Sequence, residues 1–273
     1  MKKEIKILTL SSLCVLLFLI ISGSFSGVLQ RIIYIIGFVL PTFVFLYIYY
    51  GRKNGGKIFT SEYLTLGKKE AFITLGVIFP TVLSVLLVSL LGTAVMACFG
   101  KENIIEINEP PYLAVLLHAL LPAFLEETAF RYLPLRLMGK RAPRGAIFVS
   151  ATLFALVHHS LFSISYAFVA GIVFMAVDLM TESVFPSLII HFVNNLFSLL
   201  AMGALGIEIE SYVVFLLLLV LCLLSFIPLF IYRSDILLRA RLSFAKGEGI
   251  SRPTELLFLA VPSLLIAFFE LWG

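Results

Sequence analysis

The chain has 273 residues, of which 61% are hydrophobic and only 13% charged, with a net charge of +4 and three cysteines. A soluble domain of this length carries about a quarter charged residues, so the composition excludes one and leaves room for no separate polar domain. The small positive excess sits in a few loops, which excludes a nucleic-acid surface. Cys14, Cys98 and Cys222 are scattered in apolar runs without a CxxC pair, which excludes a disulfide framework or a cysteine zinc site.

The apolar runs predict an all-α polytopic bundle of about eight or nine spans at roughly 20 residues each. In chain order they cover 6–23, 28–50, 71–99, 111–135, 145–163, 164–181, 184–204, 212–232 and 256–272. The first resembles a signal peptide in its basic start, but it has span length and no clear small-residue cleavage pattern follows, so it reads as span one. The last is either a ninth span or a re-entrant or surface helix. Residues 1–273 read as a single integral membrane domain, with no internal repeat and no pairs of broken helices of the kind secondary transporters use.

Basic residues alternate with acidic ones along the loops. The N-terminal tip, residues 51–70 (Arg52, Lys53, Lys57, Lys68, Lys69), residues 136–145 (Arg136, Lys140, Arg141, Arg144) and residues 233–255 are basic, whereas 100–110 and 206–212 are acidic. The positive-inside rule then places the N-terminus in the cytoplasm. One loop departs from the pattern, "DLMTES", which carries Asp178 and Glu182 on a cytoplasmic side; acids weigh little in that rule.

Ionisable residues inside membrane spans are expensive, face the protein interior and mark function. Here they are His118, Glu126, Glu127, Arg131, His158, His159 and His191, with Asn194 and Asn195 as amide companions, and all four histidines of the chain are among them. In "LPAFLEETAFRYLPLRL" Glu127 and Arg131 are four apart on one helical face, in the favourable acid-then-base order. Glu126 points about 100° away and is left for chemistry. In "FALVHHS" Phe154 precedes His158 by one turn, and His158 and His159 diverge by about 100°. In "HFVNNLF" His191 and Asn195 share a face that Asn194 does not. The alternative for each is a polar contact that only fixes helix packing. Helical rise puts Glu126, His158 and His191 about 10–20 Å from the cytoplasmic ends of their spans. They are therefore expected around one polar cavity in the cytoplasmic half, open toward the cytoplasm.

A buried carboxylate beside an imidazole can hold and deprotonate a water. A histidine and an asparagine on one face can donate to a developing oxyanion. Such a set suffices for amide hydrolysis, and the absence of a GxSxG motif favours activated water over a covalent acyl-enzyme.

"EETAFR" fits EExxxR, "FALVH" fits FxxxH and "HFVNN" fits HxxxN, in this order on successive spans. Over about 111–204, the expected catalytic core, the chain resembles the CAAX protease and bacteriocin-processing (CPBP, or ABI) family of intramembrane proteases. Among these are the type II CAAX prenyl endopeptidases. The resemblance implies that Glu126 and His158 activate the water, that His191 and Asn195 form the oxyanion hole, and that Glu127 and Arg131 organise the site. Phe154, His159 and Asn194 are supporting neighbours.

The resemblance also implies a substrate that is a membrane-associated peptide or protein, lipidated or not, among membrane lipids and without nucleic acid. No metal or cofactor is expected. A zinc-dependent version would use Glu126, His158 and His191, but these lack an HExxH arrangement. Two further readings stand beside the protease: a non-proteolytic protein on the same scaffold, such as a bacteriocin self-immunity factor or partner-binding protein, and a proton-coupled transporter.

Overall fold

The computed structural model describes residues 2–48, 64–98, 107, 109–139, 141–158, 161–206 and 210–245. Every regular element among these is a helix. They are α1 (Lys2–Gly23), α2 (Gly27–Leu46), α3 (Lys68–Cys98), α4 (Pro111–Gly139), α5 (Pro143–Val157), α6 (Leu161–Thr181), α7 (Phe185–Ala201), α8 (Ser211–Ile231) and α9 (Arg233–Ala245).

Six of these helices, α1, α2, α3, α4, α6 and α8, are long and apolar enough to cross a membrane. The expected spans 145–163 and 184–204 become α5 and α7, with 15 and 17 residues. At 1.5 Å per residue these reach about 22 Å and 25 Å, short of the roughly 30 Å hydrocarbon layer. The expected ninth span, 256–272, lies outside the described residues. Large apolar side chains of α8 remain exposed, among them Leu223, Phe226, Ile227 and Phe230. In water such a stripe would be a liability; in lipid it is the expected surface.

The helices pack around two apolar clusters. One joins α1, α2, α4 and α5 through Leu16, Phe38, Phe130, Leu133 and Leu153. The other joins α3, α6, α7 and α8 through Ile78, Val82, Phe174, Ile190 and Leu218. Small residues let some neighbours approach closely: a Cβ on Gly37 would fall 2.4 Å from Phe18 Cβ, and one on Gly171 would fall 2.8 Å from Ala151 Cα. Without a hydrophobic force between helices in lipid, such close contacts hold the bundle.

Two segments read as loops are not loops. Arg233–Ala245 is the helix α9, tied to the bundle by Arg239 Nη2 to Glu70 Oε1 at 2.7 Å and Lys69 Nζ to Asp235 Oδ2 at 3.1 Å. Asp178, placed in a polar loop by hydropathy, lies in the last turn of α6 and is fully buried. The connection to α7 is made instead by Glu182, whose φ of 53° is left-handed.

Candidate active site

The polar groups lie where the two apolar clusters meet. Phe154 belongs to the first and Phe174 to the second, and their ring centroids are 6.4 Å apart. Around them stand Glu126, Glu127 and Arg131 from α4, His158 at the end of α5, Asp178 from α6 and His191 from α7. All but His158 are buried.

Glu127 and Arg131 are both completely buried, with Oε2 3.2 Å from Nε. That contact is an ion pair rather than an aligned hydrogen bond. Arg131 Nη1 donates to Phe130 O and to Ser150 Oγ, each at 3.2 Å. Its guanidinium lies over the Phe154 ring at 4.4 Å and the Phe174 ring at 5.3 Å. A buried charge is retained only if paired and surrounded in this way, and aromatic faces add cation–π attraction. The helix is not regular here: Thr128–Tyr132 is π-helical, a form that concentrates at functional sites.

Glu127 does more than neutralise Arg131. Its Oε1 accepts a hydrogen bond from His191 Nδ1 at 2.7 Å. His191 Nε2 is thereby turned toward Glu126 Oε2, 3.9 Å away. His158 Nε2 lies at the same distance from that oxygen. His158 owes its orientation to Phe154, whose carbonyl accepts from Nδ1 at 2.7 Å and whose ring lies 4.7 Å away, edge to face. The spacing of four therefore gives a histidine both a backbone acceptor and an aromatic wall. Because α5 ends at Val157, His158 occupies the helix C-cap, not the position inside a 145–163 span that hydropathy predicts.

Glu126 is not left alone by α4. Its Oε1 accepts from Tyr34 Oη of α2 at 3.0 Å. No motif marks Tyr34: an isolated tyrosine in an apolar span reads as interfacial or core. His118, which the sequence groups with these residues, stands apart and pairs with Glu109 at 3.5 Å, an acid that also binds Arg31. His159 lies outside the described residues.

A pocket of about 110 Å³ is lined by Glu126, His158, Tyr166, His191, Asn194 and Asn195 among others, with room for several waters. Both asparagines reach it, although regular helix geometry would send only Asn195. A larger space of about 560 Å³ lies elsewhere, beside Glu70 and Arg239. Gly139, at the end of α4 next to the basic loop, packs near Leu179, and Asp178 meets Ser187, so these ends lie together. On that side of Glu126 the residues Glu127, Arg131, Asp178 and Ser187 are sealed, whereas His158, Asn194 and Asn195 on the far side are partly exposed. No three His, Cys, Asp or Glu side chains among the described residues are grouped so as to hold a metal ion.

Helices and site define the class first: an integral, multi-pass membrane protein that keeps acids, an arginine and histidines inside its bundle. Residues 108–197 match the family model described as Type II CAAX prenyl endopeptidase Rce1-like, the protease family to which the three motifs point. No curated protein and no solved structure matches the chain.

Proposed function

We propose that the chain is an intramembrane endopeptidase that uses Glu126 and His158 to activate water. Residues 1–273 would form one membrane domain with its catalytic core at about 111–204 and its N-terminus in the cytoplasm. The observation that carries the reading is the shared approach to Glu126 Oε2, 3.9 Å from both His158 Nε2 and His191 Nε2.

With His158 Nδ1–H donating to Phe154 O, the neutral ring presents a lone pair at Nε2. A water bridging that nitrogen and Glu126 Oε2 with legs of about 2.8 Å would subtend roughly 90°. This is near water's own H–O–H angle, so one molecule can donate a hydrogen to each acceptor and keep its lone pairs free. Attack on a peptide carbonyl carbon then sends the water proton to Glu126, and Glu126 returns it to the leaving amine as the C–N bond breaks. Tyr34 holds the other carboxylate oxygen still meanwhile.

The oxyanion would be met by His191 and Asn195, with Asn194 beside them. His191 Nδ1 already donates to Glu127, so an Nε2–H exists only when the ring is doubly protonated. The oxyanion role thus belongs to the imidazolium, which the Glu127 carboxylate faces across a 2.7 Å hydrogen bond. The proposed substrate is a peptide held at the membrane, prenylated in the CAAX manner that the family description names.

The test is cleavage of a fluorogenic peptide, with and without a prenylated cysteine, by the protein in liposomes. Loss of cleavage in Glu126→Ala and His158→Ala, with activity surviving a strong zinc chelator, supports the reading. Full cleavage in both variants sinks it, and chelator-sensitive cleavage would replace it by a zinc mechanism on the same residues.

A further inference from the structure

Asp178 is a completely buried acid that the proposed chemistry does not use. Its Oδ1 accepts from the Ser187 backbone N–H at 3.0 Å, and its Oδ2 from the Ser187 hydroxyl at 2.7 Å. Ser187 is the third residue of α7, where backbone N–H groups have no intrahelical acceptor. A carboxylate from α6 therefore caps α7 from outside, where the helix dipole favours negative charge. His191 is one turn beyond Ser187 on the same face.

The Ser187 hydroxyl has one hydrogen, and two acceptors compete for it: Asp178 and Val184 O, the latter at 3.0 Å. Asp178 is at 2.7 Å and charged, the stronger acceptor.

We propose that Asp178 is a positioning residue for the Glu127–His191 pair: by holding both the N–H and the hydroxyl of Ser187 it fixes the first turn of α7, one turn before His191. The inference rests on His191 taking part in the chemistry described above. Asp178→Asn is the informative change, because one oxygen becomes an N–H donor and one of the two bonds that hold Ser187 is lost. Ser187→Ala removes the hydroxyl and leaves only the backbone bond to Asp178.

The experiment combines peptide cleavage with 15N spectra of the histidine rings in detergent-solubilised full-length protein. In Asp178→Asn, kcat falls roughly tenfold to a hundredfold, the scale of a small misplacement of reacting groups, while KM is unchanged. The His191 Nδ1 signal moves away from its hydrogen-bonded position. Should Asp178→Asn fail to fold, Ser187→Thr, which keeps the hydroxyl, is expected to hold the wild-type His191 signal. An unchanged His191 signal in a folded Asp178→Asn, a shifted one in a folded Ser187→Thr, or a loss of activity matched by the loss of folded protein overturns the proposal. If the signal moves as stated but the wild type cleaves no peptide, the protease reading fails and the positioning relation stands.

Discussion

His191 Nδ1 donates to Glu127 Oε1 at 2.7 Å while Glu127 Oε2 lies 3.2 Å from Arg131 Nε. One carboxylate thus serves as counter-charge within α4 and as orienting acceptor for a ring on α7. The second duty explains why Glu127 and Glu126 are adjacent. Around an approximately helical backbone they diverge, and the His191 ring bridges them by facing one with each nitrogen.

Glu127→Gln separates the two duties. Its side-chain oxygen can still accept from His191, but Arg131 loses its counter-charge at a fully buried position. Removing one partner of a buried pair typically costs about 3–5 kcal/mol. Denaturant unfolding in detergent should register a loss of that size. A change below about 1 kcal/mol, the range of exposed pairs, would mean that the aromatic rings and Ser150 alone sustain the guanidinium.

Tyr34→Phe removes the hydroxyl that donates to Glu126 at 3.0 Å and nothing else. A hydrogen bond to a charged group is worth about 1.5–3 kcal/mol, which corresponds to roughly tenfold to a hundredfold in rate where the transition state feels it. The expected result is a lower kcat with folding intact. Wild-type turnover in this variant would show that Glu126 is positioned without α2.

Glu126, Glu127, Arg131, His158, His191 and Asn195 stand out in the sequence because ionisable and amide groups are rare in apolar spans and their helical spacing assigns faces. Asp178 does not, since hydropathy cannot tell a buried acid near a helix end from one in a loop. Tyr34 was hidden because a single hydroxyl on an aromatic ring is ordinary in a membrane helix. Asn194 is a supporting neighbour by sequence, but its place in the pocket wall beside Asn195 does not follow from a regular helix, which sends only one of two adjacent side chains to a given face. The end of α5 at Val157 has no Gly or Pro to announce it, and hydropathy ran the span on to residue 163.

The proposed orientation rests on loop charge alone and is directly measurable. The turn at Ser24 and the loop at Arg141 lie at opposite ends of the bundle in the reading that puts basic loops in the cytoplasm. In intact cells a membrane-impermeant thiol reagent should label Ser24→Cys and leave Arg141→Cys untouched until the membrane is opened, with the native cysteines replaced. The reverse pattern would invert the topology.

Gly171→Ala sets two effects against each other. Alanine is the better helix former by about 1 kcal/mol, so propensity alone predicts a gain. The new Cβ, however, would fall 2.8 Å from Ala151 Cα. That atom is backbone of α5 and cannot rotate away, so α5 and α6 must separate. Overpacking of this kind costs about 1–3 kcal/mol, and the steric effect should win, lowering the unfolding midpoint. Activity is expected to fall further than stability accounts for. Phe154 and His158 ride on α5 less than two turns beyond Ala151, and Phe174 follows Gly171 by one turn on α6, so the separation opens the site between them. Ala151→Gly in the same chain should give little relief, because the nearest contact is to Cα and survives the loss of the methyl group. A stabilised Gly171→Ala with normal cleavage would show that the helices are not in contact at this crossing.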